Sequence, residues 1–176
     1  MQWQKMVANA YQSHFEEWEK VMEGLTPEDL KKRPSPGANP IGWLGWHCMR
    51  SCDRFLGDII LGQQLWIKDG WHKKFNRPAD FNDTGVGHTD AQVDALFIPN
   101  VKTLLDYEKA VKSPFPGFIE KLTEKDLEKE YPSSQHPGIT FKLHERLLRQ
   151  LAHNYPHIGA AAYARGIIKG QGWYGR

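Results

Sequence analysis

An all-α four-helix bundle is the fold this sequence predicts, and three observations predict it. Apolar residues recur at three- and four-residue spacing in four long stretches, clusters of Pro, Gly and capping residues close each stretch, and one turn is written twice. That turn is LTPEDLKK at residues 25–32 and LTEKDLEK at 122–129. Each offers a Thr as cap and a Leu to staple the turn down, and each leads through a Pro-bearing linker into a histidine-bearing helix. The chain therefore divides into two similar helical hairpins. Its 176 residues, 40% of them hydrophobic, suffice to fill the core of one bundle domain spanning residues 1–176.

The first helix is expected from about residue 2 to 24, where Trp3, Met6, Val7, Tyr11, Phe15, Trp18, Met22 and Leu25 draw a single apolar face. Thr26 caps a short turn beginning at Pro27, and PSPGANPIG, residues 34–42, admits no helix before Pro40. A second helix follows to about Leu61, with Trp43, Trp46, Phe55 and Ile59 as its apolar body.

From Trp66 to Pro99 the periodicity gives way to turn signals at Asp69-Gly70, Arg77-Pro78 and Asp83 to Gly87. The stretch is too long for a passive connection. Its aromatics Trp66, Trp71, Phe75, Phe81 and Phe97 predict an ordered loop excursion between helices two and three, packed over one end of the bundle, and Thr89 to Gln92 reads as a capping box opening a short helix. The third helix spans about 100–122, and Pro114 and Pro116 predict a break near Ser113. The fourth is expected after HPGIT, capped by Thr140, running to about Lys169.

Charge narrows the partners. A net +2 from 23 basic and 21 acidic residues, without a dense basic run, offers a phosphate backbone nothing, so no nucleic acid is expected. The amino-terminal stretch carries charges and no continuous apolar core, which predicts a cytoplasmic protein with no membrane partner. Cys48 and Cys52, one turn apart on one helix, are poorly placed for a disulfide and read as small core residues.

The chemistry lies in the histidines. His153 and His157 stand at i and i+4, where Cβ atoms are about 5–6 Å apart and two imidazoles can converge on one cation at about 2.0–2.1 Å. Taken alone, HxxxH more often marks a pair of core or surface histidines than a metal site. His47 shifts the balance: it sits beside Trp43 and Leu44 on a face turned partly to the core, where an unpaired imidazole is costly. Three neutral imidazoles from two facing helices suit Zn²⁺, Ni²⁺ or Fe²⁺ and leave coordination positions open. A di-iron bundle would need Glu-x-x-His on two helices, but Glu145 is followed three residues later by Leu148. Pro156, directly before His157, predicts a kink that keeps both imidazoles on one side.

Other residues carry weaker expectations. His88, in GVGHTD, is the best further ligand candidate, whereas His14 reads as a boundary residue and His72, His136 and His144 as solvated. Asp53 is expected to pair with Arg54 or to cap a neighbour. Arg50 and Arg165 are available to an anionic substrate.

NPIGWLGWHCMRSCDRFL, residues 39–56, together with LHERLLRQLAHNYPHIGAAAYARG, residues 143–166, resembles the DinB-like (DinB/YfiT) superfamily, and the likeness takes in both LTxxDL turns. The resemblance implies a four-helix bundle with a metal site at its centre, built from the histidine of the second helix and the HxxxH of the last, here His47, His153 and His157. It implies a homodimer, and in characterised relatives a low-molecular-weight thiol such as bacillithiol or mycothiol as cosubstrate, activated by the metal in transferase or isomerase reactions.

Two functions from different classes follow. In the first, a divalent metal activates a thiol or water toward a small-molecule substrate; no nucleophile elbow, P-loop or dinucleotide fingerprint offers another chemistry. In the second, the metal is structural and the chain is a non-catalytic module binding a small ligand or partner. A fourth protein ligand would favour the second.

Overall fold

A computed structural model describes residues 2–134 and 136–170. Four long helices dominate it: α1 (Trp3–Met22), α3 (Ile41–Phe55), α7 (Val101–Lys112) and α10 (Leu143–Lys169), with the short α2 (Pro27–Lys31) between the first two. α10 packs on α3 and α1, and α7 packs on the same two, so the four close into a bundle. Its core includes Trp18, Trp46, Phe15, Phe55, Tyr107, Phe115 and Leu147.

Both LTxxDL turns fold as written. Thr26 accepts from the Asp29 amide while Asp29 accepts from the Thr26 amide, and Thr123 and Asp126 repeat this at the head of α9 (Glu124–Leu127). The third helix breaks where two prolines require it: α7 ends at Lys112, Ser113 and Pro114 intervene, and α8 (Phe115–Ile119) resumes.

α3 is buried along almost its whole length and ends in a π-helical turn, Leu56–Leu61, stopped by Gly62 in the left-handed region. At its start, a Cβ on Gly42 would lie 2.8 Å from the Leu30 carbonyl oxygen and 3.1 Å from Ile98 Cγ1. Only glycine lets α2 and the strap before α7 approach α3 so closely.

The excursion is ordered, with short helices α4 (Leu65–Lys68), α5 (Trp71–Lys74) and α6 (Asp90–Asp94), the last opened by the Thr89–Gln92 capping box. Arg50 holds it together. This fully buried guanidinium donates to the carbonyl oxygens of Asp80, Phe81 and Asp83 and to Gln64, pairs with Asp53, and lies 4.4 Å from the Trp66 ring centroid. Asp53 accepts from the amides of Leu65 and Trp66 at the head of α4 and from the Tyr107 hydroxyl. Asp53 thus caps a neighbour as expected, but its cationic partner is Arg50, one helical turn away, and not Arg54.

The start of the fourth helix differs from expectation. Thr140 opens a strand: β1 (Glu130–Pro132) and β2 (Thr140–Lys142) pair as an antiparallel hairpin, Tyr131 opposite Phe141. α10 begins after Lys142, whose amide donates to Glu145. The alternation of Tyr131 and Phe141 with polar neighbours is too short to stand out as a strand pattern. Pro156 does not interrupt α10, which continues to Lys169; both Pro156 and Ala152, which loses its hydrogen bond, are exposed.

Candidate metal centre

His47 lies mid-way along α3, and His153 and His157 lie on the face of α10 that packs against it. Their ring centroids are 4.8–5.0 Å apart in all three pairings. One ring nitrogen from each lies within 4.8 Å of the others, and among the described residues this is the cluster of three or more His, Cys, Asp or Glu side chains that could hold a metal ion.

The hydrogen bonds behind the rings settle the tautomers. Nδ1 of His47 faces the carbonyl oxygen of Thr84, which only accepts, so the proton sits on Nδ1 and the Nε2 lone pair is free. Nδ1 of His153 donates to Asn154 Oδ1 at 2.8 Å, and Asn154 Nδ2 donates to His14 Nε2 at 3.0 Å and to Cys52 Sγ at 3.1 Å. The Nε2 atom of His153 is therefore free as well, and it stands 3.2 Å from that of His47. Two lone pairs at this distance repel unless a cation lies between them. Nitrogens each about 2.1 Å from one ion, at an angle of 90–110°, are about 3.0–3.4 Å apart, so the pair fits a shared metal.

Burial favours the neutral form of His47 and His157, the form that ligates. The pKa of His47 falls to about 4, chiefly through desolvation; the Thr84 carbonyl opposes this, and His153, His157 and Arg54 add to it. Desolvation also lowers His157. The Trp43 indole stacks on His47 with centroids 4.8 Å apart and planes at 11°.

The excursion supplies the wall over His47. Trp43 Nε1 donates to His88 Nδ1, so the other His88 nitrogen carries the proton and faces Asp83, itself paired with Arg77. His88 is thus a prop for the loop and lies outside the ligand cluster. Gly85, at φ +89°, lets the loop lie flat on the tryptophans: a Cβ there would meet Trp43 at 2.8 Å and Trp46 at 3.0 Å.

His14 is fully buried, joined to the site through Asn154, where a boundary position was expected; burial lowers its pKa to about 4. Cys48 and Cys52 are buried free thiols, and burial pushes the Cys52 thiol up to about 12. The two arginines considered for an anionic substrate are engaged within the protein. Arg50 organises the excursion, and Arg165 donates to the carbonyl oxygens of Val21 and Glu23, closing the end of α1.

A pattern common to the DinB superfamily matches residues 10–161. The chain belongs to the DinB superfamily. A conserved protein from Enterococcus faecalis has the same fold, with a TM-score of 0.82 at 20% identity over 97% of this chain and 99% of that one. A DinB-like protein from Bacillus cereus ATCC 10987 aligns with a TM-score of 0.59 at 18% identity, over 90% and 87% of the two chains. No curated protein matches the sequence. No helix among the described residues is long and apolar enough to cross a membrane.

Beside His47 and His153 opens a cavity of about 470 Å³, within the range usual for small-molecule sites. Arg54, Arg146 and Arg149 line it, and sequence reasoning missed all three. A signal existed: Arg54 follows His47 by seven residues and Arg149 precedes His153 by four, so each shares a helix face with a histidine of the cluster. Asn154 and Thr84 were also missed, the first because its role depends on α1, the second because it is made by a backbone carbonyl.

Proposed function

We propose that this DinB-superfamily protein binds one divalent transition metal ion, Zn²⁺, Ni²⁺ or Fe²⁺, through Nε2 of His47 and His153 and one ring nitrogen of His157, and acts as a metal-dependent enzyme on a small molecule. The observation that carries the reading is the pair of proton-free nitrogens of His47 and His153, 3.2 Å apart. When bound, the ion would lower the pKa of a thiol or water at its open positions, as in thiol-dependent transfer. Thr84 and Asn154 orient the ligands, Trp43 and the excursion shield one side from water, and the cavity admits a cosubstrate such as a low-molecular-weight thiol. Among the described residues no fourth side chain joins the cluster, which supports an open site over a structural one.

A homodimer is part of this proposal. Leu148, Tyr155, Tyr163 and Ile167 stand exposed along the outer side of α10, an apolar surface suited to a second copy.

The test is elemental analysis of protein purified without added metal. Wild type should carry about one equivalent and His153→Ala none. A full equivalent retained by His153→Ala would overturn the assignment.

A further inference from the structure

The cavity beside the histidines is strongly cationic. Three guanidinium groups line it, no carboxylate does, and the nearest acid of note, Asp58, is already held by Arg146 at 2.9 Å and by Ser134. Arg149 rests over the Phe141 ring, 4.7 Å from its centroid, with its charge uncompensated by any described carboxylate. Arg54 is half-buried yet makes no hydrogen bond to any described residue. Burial lowers its pKa, Asp58 opposes this, and the charges of Arg146 and Arg50 add to the lowering. A crowd of three cations around one carboxylate, with one guanidinium partly desolvated and without a hydrogen bond to a described residue, becomes favourable when an anion is bound among them.

Resting on the metal-site reading above, we infer that the substrate or cosubstrate is a small organic acid whose carboxylate is bound by Arg54 and Arg149 while its other end faces the histidines. Helix geometry supports the placement. Arg54 lies two turns along α3 from His47, and Arg149 one turn along α10 before His153, so both arginines project into the space that the two histidines border. The planar guanidinium suits a carboxylate in a way that a lysine would not. Arg146 has a different role: its ion pair with Asp58 joins α10 to the end of α3 and fixes the rim.

Calorimetric titration with succinate, and with its neutral counterpart succinamide, tests this on zinc-loaded and metal-free protein at low ionic strength. Wild type should bind succinate and not succinamide. Arg54→Gln should weaken succinate binding at least tenfold and Arg149→Gln severalfold, with zinc content unchanged in both. The inference is overturned if succinate does not bind, if succinamide binds as well, or if neither substitution changes the affinity. Arg149 is exposed, so that variant remains informative should Arg54→Gln fail to fold. Arginine-dependent binding to a protein that takes up no zinc would remove the metal reading and leave this one standing. Full zinc content with arginine-independent binding would do the reverse.

Discussion

Nε2 of His47 and Nε2 of His153 face each other at 3.2 Å with both ring protons committed elsewhere, to the Thr84 carbonyl and to Asn154. An apo protein of this geometry holds unrelieved repulsion that a cation removes. Zinc at 100 times its Kd should stabilise the fold by about 2.7 kcal/mol and raise the melting temperature by roughly 5–10 °C. Differential scanning fluorimetry with and without a chelator checks this; an unchanged Tm would speak against a built site.

Asn154 is fully buried and serves His153, His14 and Cys52 at once. Asn154→Leu should keep the helix but free the His153 ring, weakening metal binding by about 10–100-fold. Competition against a chromogenic chelator measures the loss, and an affinity within a factor of two of wild type would assign Asn154 a packing role alone.

Gly85→Ala should displace the excursion, because the added methyl meets two indole rings and the backbone stands at φ +89°. The expected cost is about 1–3 kcal/mol, with faster proteolysis between residues 77 and 88 and a lower metal affinity as Thr84 withdraws from His47. Limited chymotrypsin digestion, which can cut after Phe81, reads the first effect, and comparison with and without zinc reads the second.

Glu108 is buried in α7 with neither carboxyl oxygen bonded to a described group, and desolvation, helped by Glu19 and opposed by Lys112, raises its pKa from 4.5 to about 8. A carboxyl whose pKa is higher in the folded state than in the unfolded state stabilises below pH 4.5. That contribution is lost as pH rises through 8. Urea denaturation across pH 5–9 should show stability falling by the order of 1–3 kcal/mol, and Glu108→Gln should flatten the curve. A parallel decline in the variant would place the effect elsewhere.

The bundle was legible because its signals are local. The three- and four-spaced apolar residues, the two LTxxDL capping boxes and the prolines at 114 and 116 each act within a turn or two of their own position. His153 and His157 were legible for the same reason. What escaped depends on distant chain: His14 meets Asn154 across 140 residues, Thr84 reaches His47 across 37, and Arg50 reads as a surface residue until the excursion wraps it. The β-hairpin escaped because three-residue strands lie below the length at which alternation can be read.

The parallel stacking of Trp43 on His47 gives the molecule an optical consequence. An indole 4.8 Å from the His47 ring would be within range of efficient quenching by an open-shell ion held there, whereas filled-shell zinc has no low-lying d-states to accept its excitation. Loading with nickel should therefore dim part of the tryptophan emission, and loading with zinc should leave it bright. Whether an ion taken up by the protein is open- or filled-shell can then be read by light, before any atom is counted.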